Sequence, residues 1–293
     1  GVKGWLHVWD YEKNVLLWKS DFGIKPIVTL SFHPDGRQFA AGTWDGWIGV
    51  FPLDANGKPA AEHKLAPVKG SYPAVQAVAY SPDGKTLAVA TKDNLIRLLD
   101  ARDAKLVREL SGHARWANSI AFPPQGAWMA TASSDETLRL WNLSTGDEIR
   151  ALHGHTASVN AVAATPDGKR LITAGADGTL RWWDTALADG SRDIWNHSSD
   201  VYGFSFDTEG RRAISAAWGG TIKLWDTASG GALWQKPLHK SSANAAVFSP
   251  DGKRIVSGGN DGRLLLTNAE NGELIATWES ISDGRAAGIA WSP

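Results

Sequence analysis

The chain has 293 residues, with 30 Lys and Arg against 31 Asp and Glu, so its formal net charge is −1. This balance argues against the basic surface that binds nucleic acid, and no apolar run is long enough to span a membrane, so we predict neither nucleic-acid binding nor direct membrane insertion. The absence of Cys excludes disulfides, iron–sulfur clusters and thiol nucleophiles.

Short strand-like segments fill the chain from end to end. Residues 1–20 predict two strands, and residues 286–293 predict one more. Between them, six segments each have the pattern of four short strands joined by turns: 27–66, 74–111, 116–153, 158–196, 200–238 and 243–279. In the fourth segment, the β-branched and apolar runs lie at 159–164, 170–175, 179–184 and 191–195. The chain is therefore predicted to be all-β.

Each of the six segments has a tight turn after its first strand. The turns lie at 33–36, 81–84, 123–126, 165–168, 207–210 and 249–252. Most contain Pro-Asp-Gly, in which Pro presets the backbone dihedral angle and Gly accepts the left-handed conformation. From Pro82 to Pro250 the turns recur every 42 residues, a period typical of propeller repeats. The interval from Pro34 to Pro82 is 48, which predicts a lengthened connection between Phe51 and Pro73.

Gly-His and Trp-Asp dipeptides mark several of these segments. Gly-His occurs at 112–113 and 154–155, and Trp-Asp at 9–10, 183–184 and 225–226. In these motifs and their spacing the chain resembles the WD40-repeat family. The resemblance implies a seven-bladed β-propeller of four-stranded antiparallel blades, forming a single domain over residues 1–293. Its closing blade would be shared by the N- and C-termini, with the outer strands from 1–20 and the inner strand from 286–293.

The resemblance also implies structural tetrads inside the blades, in which His, Ser or Thr, Asp and Trp form one hydrogen-bonded chain. The two complete tetrads are His113, Thr131, Asp135 and Trp141, and His155, Thr173, Asp177 and Trp183. Two partial sets are His197, Ser215 and Trp225, with Gly219 in place of the Asp, and His239, Ser257 and Asp261, with Thr267 in place of the Trp. The first two segments lack most of the set, so we expect apolar packing to hold those blades together.

The same groups could form a nucleophilic triad, because a carboxylate and an imidazole within reach of a hydroxyl can activate it. Their recurrence in several blades favours the structural role, since an enzyme seldom carries duplicate nucleophiles, and we predict no catalytic residue. His153 and His155 offer two imidazoles where zinc needs three or four ligands. We therefore predict no metal and no cofactor.

Three positions in each blade are implied by the resemblance to point to solvent on the top face of the propeller. They are the residue before the turn Asp, the third residue after the loop His, and the residue two beyond that. Aromatic, amide and charged side chains at these positions have the composition of a binding hot spot. The predicted partner-binding residues are Trp44, Lys92, Trp116, Asn118, Asn160, Asp200, Tyr202, Trp218, Asn244, Asn260 and Arg285. The alternative for Trp44 and Trp218 is that they only plug the ends of degenerate blades.

The sequence therefore predicts a non-catalytic scaffold that holds a protein or peptide partner through this top face. Nothing corresponds to the second strand of the closing blade and there is no starting Met, so we expect the chain to be an excerpt of a longer polypeptide. This expectation motivates an alternative function: a ligand-sensing or accessory propeller attached to an enzyme or electron-transfer module of a larger bacterial protein or complex. The absence of Cys and the Ala- and Trp-rich repeats favour a bacterial protein, either exported to the periplasm or cytoplasmic.

Overall fold

The computed structural model describes residues 4–10, 12–13, 15–21, 26–59, 74–185, 191–279 and 288–292. Within these ranges the secondary structure consists of β-strands and a single 3₁₀ turn, Trp218–Gly220. The strands are β1 (Trp5–Asp10), β2 (Val15–Asp21), β3 (Ile27–Phe32), β4 (Gln38–Thr43), β5 (Ile48–Pro52), β6 (Val75–Tyr80), β7 (Thr86–Thr91), β8 (Ile96–Asp100), β9 (Leu106–Leu110), β10 (Ala117–Ala121), β11 (Trp128–Ser133), β12 (Thr137–Asn142), β13 (Glu148–His153), β14 (Val159–Ala164), β15 (Arg170–Gly175), β16 (Thr179–Asp184), β17 (Ser191–Asn196), β18 (Val201–Phe206), β19 (Arg212–Ala217), β20 (Thr221–Asp226), β21 (Ala232–Pro237), β22 (Ala243–Phe248), β23 (Arg254–Gly259), β24 (Arg263–Asn268) and β25 (Leu274–Glu279). No helix in the described ranges has the length and apolar character needed to cross a membrane.

The strands form antiparallel sheets in which each strand pairs with the next one in the chain. We call the six larger sheets blades 1 to 6: β3–β5, β6–β9, β10–β13, β14–β17, β18–β21 and β22–β25. Blade 1 has three described strands and each of the others has four, while β1 and β2 form a separate two-stranded sheet, the N-terminal sheet. The prediction of an all-β propeller with antiparallel blades is confirmed. The described residues form six blades, whereas the sequence predicted seven.

The turn after the first strand has the same geometry in every blade. In blade 4 the Gly168 N–H donates to the Thr165 carbonyl at 2.8 Å, and the φ angle of Gly168 is 67°. Corresponding bonds close the five other turns, at Gly36, Gly84, Gly126, Gly210 and Gly252. A side chain rarely adopts this backbone conformation, which explains why Gly ends each turn.

The first strands of neighbouring blades contact one another in the order β3, β6, β10, β14, β18 and β22, so they form the inner part of the assembly. Between each pair of neighbouring blades lies an apolar cluster. Blades 3 and 4, for example, share one that includes Leu138, Leu140, Val159 and Leu171. Because a lone four-stranded sheet buries too little apolar surface to be stable, these shared clusters are what hold the fold together.

The N-terminal sheet packs between blade 6 and blade 1. Leu6 belongs to an apolar cluster with Phe39 and Phe51 of blade 1, and Trp9 belongs to one with Trp278 of blade 6. Residues 288–292 also pack against blade 6. No strand is assigned to them, although the sequence predicted one over 286–293. The physical reason is that no described second strand lies beside this segment to form a hydrogen-bonded ladder.

Candidate partner-binding face

Two loops meet at the same end of every blade, and the first two predicted surface positions lie in them. The N–H of the residue before the turn Asp, or before Gly219 in blade 5, donates to the carbonyl of the second predicted position at 2.8–3.1 Å. The pairs are Trp44 with Pro26, Lys92 with Ala74, Ser134 with Trp116, Ala176 with Ser158, Trp218 with Asp200, and Asn260 with Ser242. We call this end of the propeller the top face. The Gly-containing turns lie at the other end of the first strands.

The third predicted position lies at an irregularity in the first strand of each blade. In blade 4 the pairing register shifts between Val159 and Ala161, so Asn160 has no direct partner on β15. The same shift occurs in the other five blades, at Val28, Gln76, Asn118, Tyr202 and Asn244. A bulge re-aims the extra side chain and increases the local twist. The family resemblance implied these positions, but the bulges were not predicted from the sequence.

Blades 1 to 3 bring two exposed tryptophans together around a lysine. The Lys92 Nζ lies 3.6 Å from the centroid of the Trp44 ring and 5.2 Å from that of Trp116. Trp44 is 50% exposed and Trp116 is 36% exposed. An ammonium group is attracted to the face of an indole, so Lys92 links the two rings. The result is a mixed aromatic and cationic surface, which we call the Trp44–Lys92–Trp116 cluster.

The side-chain amides of Asn118 and Asn160, two of the predicted partner-binding residues, donate hydrogen bonds within the chain. Asn118 Nδ2 donates to Ser134 Oγ at 3.0 Å, Ser158 Oγ at 3.1 Å and the Val159 carbonyl at 2.9 Å. Asn160 Nδ2 donates to the Val201 carbonyl at 2.9 Å. Each of these asparagines therefore bonds to the first strand of the next blade, and their N–H groups stabilise the joint between blades.

A second group of predicted residues lies in blade 5. Trp218 is 60% exposed, and its N–H donates to the Asp200 carbonyl at 2.8 Å. Tyr202 is half-buried at the bulge of β18. In blade 6, Asn244 Nδ2 donates to Asn260 Oδ1 at 2.8 Å. Arg285, the remaining predicted partner-binding residue, lies outside the described residues.

The two complete tetrads form closely matching hydrogen-bonded chains. In blade 3 the distances are 2.8 Å from Asp135 Oδ2 to His113 Nδ1, 2.7 Å from His113 Nε2 to Thr131 Oγ1, and 2.8 Å from Trp141 Nε1 to Thr131 Oγ1. The corresponding distances in the set of His155, Thr173, Asp177 and Trp183 are 2.8, 2.7 and 2.8 Å. The His and Thr side chains are buried in both blades.

Hydrogen bonds keep the tetrad carboxylates ionised. Burial raises the pKa of Asp135, but the bonds from His113 and Thr137 outweigh it and hold the pKa well below its usual range. In blade 6, burial likewise opposes the bonds that Asp261 accepts from His239, Lys240 and Arg263, and the net effect is again a lowered pKa. A buried carboxylate with this many donors is stabilised in its charged form.

Blade 5 has Gly219 in place of the carboxylate, and the part of the chain that the structure describes offers the ring of its histidine no hydrogen-bond partner. Trp225 Nε1 still donates to Ser215 Oγ at 2.8 Å. His197 is 1% exposed, and neither of its ring nitrogens has a hydrogen-bond partner among the described residues. Burial, together with the charge of Lys223, lowers the pKa of His197 to about 4. The imidazole is therefore neutral at pH 7.

Blade 2 contains an ionic network that the sequence analysis did not predict. Arg97 donates to Asp93 Oδ2 at 2.7 Å, to Glu109 Oε1 at 2.9 Å and to Thr91 Oγ1 at 2.6 Å. The Arg97 side chain is almost wholly buried. Apolar clusters still pack blade 2 against blades 1 and 3, so this network adds to the expected apolar packing and does not replace it. The sequence does contain a signal for this network, because Asp93 and Arg97 carry opposite charges and lie four residues apart across the turn.

Antiparallel blades packed side by side, with their first strands on the inside, form a β-propeller. The sequence profile of the WD domain, G-beta repeat (WD40), matches residues 23–51, 104–142, 146–184, 191–226 and 234–268. These matches cover more than half of the chain, which therefore belongs to the WD40-repeat family. The profile of the anaphase-promoting complex subunit 4 WD40 domain also matches residues 64–120.

Several curated proteins are similar to parts of the chain. WD repeat-containing protein SL1-17 of Schistosoma mansoni is 32% identical over 83 residues, which are 28% of this chain and 25% of that protein. UBP9-binding protein bun62 of Schizosaccharomyces pombe is 30% identical over 95 residues, 32% of this chain and 16% of that protein. Human WD repeat-containing protein 55 is 36% identical over 87 residues, 29% of this chain and 22% of that protein. The chain thus matches a quarter or less of the length of each of these relatives.

These relatives correct the predicted source. All three come from eukaryotes: a schistosome, a fission yeast and a human. The prediction of a bacterial source is therefore wrong. The absence of Cys and the Ala- and Trp-rich repeats therefore do not identify the type of organism.

Proposed function

We propose that this propeller is a non-catalytic scaffold that holds a segment of a protein partner on its top face. The observation that carries the proposal is the Trp44–Lys92–Trp116 cluster, in which two exposed indoles flank one ammonium group. Exposed tryptophans offer large apolar area at little conformational cost, and Lys92 offers a charge for a carboxylate of the partner. One relative is itself named as a binding protein, for UBP9.

Burial of the tetrads supports a structural rather than a catalytic role for them. The His113 side chain is inaccessible, and that of Asp135 is 6% exposed. A nucleophile must reach its substrate, whereas Thr131 is fully buried and already accepts a bond from Trp141. A satisfied buried network of this kind fixes the pairing of strands.

We also infer that the domain extends over residues 1–293 and that the N-terminal sheet and residues 288–292 belong to one closing blade. Trp278 of blade 6 stacks on Trp9 of the N-terminal sheet at 5.1 Å, as Trp195 of blade 4 stacks on Trp225 of blade 5 at 5.0 Å. Gly288 approaches the backbone of Thr29 in blade 1, as Gly203 of blade 5 approaches Ala245 in blade 6. Both relationships favour β1 as a third strand and 288–292 as a first strand.

The proposed binding role of the top face can be tested with peptides that are selected from a random display library for binding to the wild-type chain. We expect a selected peptide to lose at least about fivefold in affinity for Trp44→Ala and for Trp116→Ala. The matched control is Val107→Ala, which removes a 63% exposed apolar side chain from the outer strand β9. Equal affinity for all four proteins, or a loss confined to the control, would contradict the proposal.

A further inference from the structure

Blade 5 differs from its neighbours at the place where they hold a carboxylate. In blades 3, 4 and 6 the tetrad Asp accepts a hydrogen bond from the His Nδ1, at 2.8, 2.8 and 3.0 Å. The same carboxylate accepts a second bond, at 2.9–3.0 Å, from the N–H of the residue that follows this His. Blade 5 has Gly219 at the position of the Asp. Its donors must therefore find another acceptor.

His197 occupies the same position in blade 5 as the histidines of the complete tetrads. Its ring centroid lies 6.2 Å from that of Trp225, compared with 6.1 Å between His113 and Trp141 in blade 3. His197 is nevertheless unpaired within the described part of the chain, at both ring nitrogens, and it is 1% exposed. A buried polar group without a partner costs free energy, so a ligand that pairs with this ring is favoured.

Lys223 places a buried ammonium group beside this ring. It is 8% exposed, and its Nζ donates to the Asn196 carbonyl at 3.3 Å. Burial, and after it the charge of Lys223, lowers the pKa of His197, so the ammonium group acts on the imidazole. Burial also lowers the pKa of Lys223 itself, and no carboxylate of the described residues opposes that effect. An anion placed here would stabilise the charged lysine.

Blade 2 shows what a cation at this position binds. Arg97 lies three repeats of 42 residues before Lys223. It donates to Asp93 Oδ2 at 2.7 Å and to Glu109 Oε1 at 2.9 Å. Blade 5 has Gly219 at the position of the Asp and a neutral glutamine at the position of the Glu. The cation is thus present in blade 5 while both of its acidic partners are replaced.

The surface beside this place is open at the turn. Gly219 is exposed, and a Cβ at this position would meet no atom of a residue beyond its chain neighbours within 4 Å. Ser198, which follows His197, has a φ angle of 61°, a conformation that residues other than Gly seldom adopt. Its N–H donates to Asn196 Oδ1 at 2.7 Å, whereas the corresponding N–H in blades 3, 4 and 6 donates to the tetrad Asp.

We propose that blade 5 binds an external carboxylate at the place of the missing tetrad Asp. The carboxylate accepts hydrogen bonds from the His197 ring and from the Lys223 ammonium, and bonds of this charge-assisted kind are strong. It also offers an acceptor to the Ser198 N–H, which allows the loop to leave its strained conformation as the ligand enters. The site is separate from the Trp44–Lys92–Trp116 cluster. It is also remote from the N-terminal sheet and residues 288–292, which pack against blades 1 and 6.

Titration of the 293-residue chain with acetate tests this site, and acetamide is the matched neutral probe. The histidines carry an isotope label, and the imidazole nitrogen signals of His197 are followed by NMR at pH 7 and constant ionic strength. We expect acetate to shift these signals saturably and to bind at least about tenfold more tightly than acetamide. The signals of His113 are the internal control. They should not move, because both of its ring nitrogens are already paired.

The Lys223→Met variant tests the role of the buried ammonium group. It should weaken the binding of acetate at least about tenfold, because it removes the charge and keeps most of the side-chain volume. The matched control is Lys240→Met, which changes an exposed lysine in the corresponding loop of blade 6. This control should bind acetate as the wild type does.

A capped glutamate, N-acetylglutamate N-methylamide, distinguishes the two sources of such a carboxylate. If it binds within about tenfold of acetate, the source is an acidic side chain of a protein; if it binds more weakly than that, the source is a free carboxylate ion. Three results would overturn the proposal. They are no saturable shift of the His197 signals, equal affinity for acetate and acetamide, and an unchanged affinity for acetate in Lys223→Met.

Discussion

The indole of Trp9 stacks on the indole of Trp278 with ring centroids 5.1 Å apart, and this contact joins the first described strand of the chain to the last. Each sheet of a repeat protein is stabilised by its neighbours, so this joint between the N-terminal sheet and blade 6 bears on the stability of the fold. Trp278 is 8% exposed.

Trp278→Ala should therefore destabilise the chain as strongly as an equivalent change between two complete blades. We expect the free energy of unfolding to fall by about 3–5 kcal/mol, the usual effect of truncating a buried tryptophan. Trp195→Ala, between blades 4 and 5, is the matched comparison. Denaturant unfolding of both variants provides the test, and a loss at Trp278 below a third of that at Trp195 would argue against a closed joint.

Removal of a tetrad histidine should destabilise the chain without affecting its surface. In His155→Ala, Asp177 and Thr173 each lose one partner but keep others, since Thr179 still donates to the carboxylate and Trp183 to the hydroxyl. We expect a loss of about 2–4 kcal/mol in unfolding free energy, from the missing hydrogen bonds and the cavity left behind.

The control for that variant is His153→Ala, two residues away and exposed. Its effect should remain within about 0.5 kcal/mol. Similar losses for the two variants would show that the tetrad makes no special contribution to stability.

His197 should make stability depend on pH. Its pKa in the folded chain is about 4, below the ordinary value of about 6.5 in an unfolded chain. Between these values the unfolded chain binds a proton that the folded chain does not, so stability is lost as the pH falls from about 6.5 to 4. Relative to His197→Gln, the wild type should lose up to about 3 kcal/mol over this window. Parallel stability curves for the two proteins, measured by urea unfolding from pH 7 to pH 4, would refute the effect.

Lys92 should determine the salt dependence of binding on the top face. An exposed charge pair is screened by salt, so affinity for a selected acidic peptide should fall between low and high ionic strength for the wild type. Lys92→Ala should bind more weakly at low salt and show a much flatter dependence, as measured by isothermal titration calorimetry. The stability of the Lys92→Ala variant should fall by no more than about 2 kcal/mol, because Lys92 is half-buried against the Trp44 ring. An unchanged salt dependence would remove Lys92 from the binding site.

Features that are local in the chain were predictable from the sequence. The Gly turns follow from the repeated turn residues, whose cause is backbone conformation. The tetrad of His155, Thr173, Asp177 and Trp183 was implied by the resemblance to the WD40-repeat family, and its cause is hydrogen bonding within one repeat.

Features that depend on how two blades meet were not predictable in the same way. The approach of Lys92 to both Trp44 and Trp116 is set by the angle between neighbouring sheets. The donation from Asn118 to the Val159 carbonyl likewise crosses a joint between blades. The ion pair of Arg97 was not predicted because the family's tetrad motif has no position for an arginine. Its partner Asp93 nevertheless lies only four residues earlier in the chain.

Site-specific photo-crosslinking of a selected peptide tests the central claim most directly. A benzophenone amino acid is placed at residue 134, beside the Trp116 carbonyl on the top face, or at residue 209, in the exposed turn at the opposite end of blade 5. We predict that the peptide crosslinks from position 134 and not from position 209. Crosslinking from position 209 alone, or equally from both positions, would contradict binding on the top face.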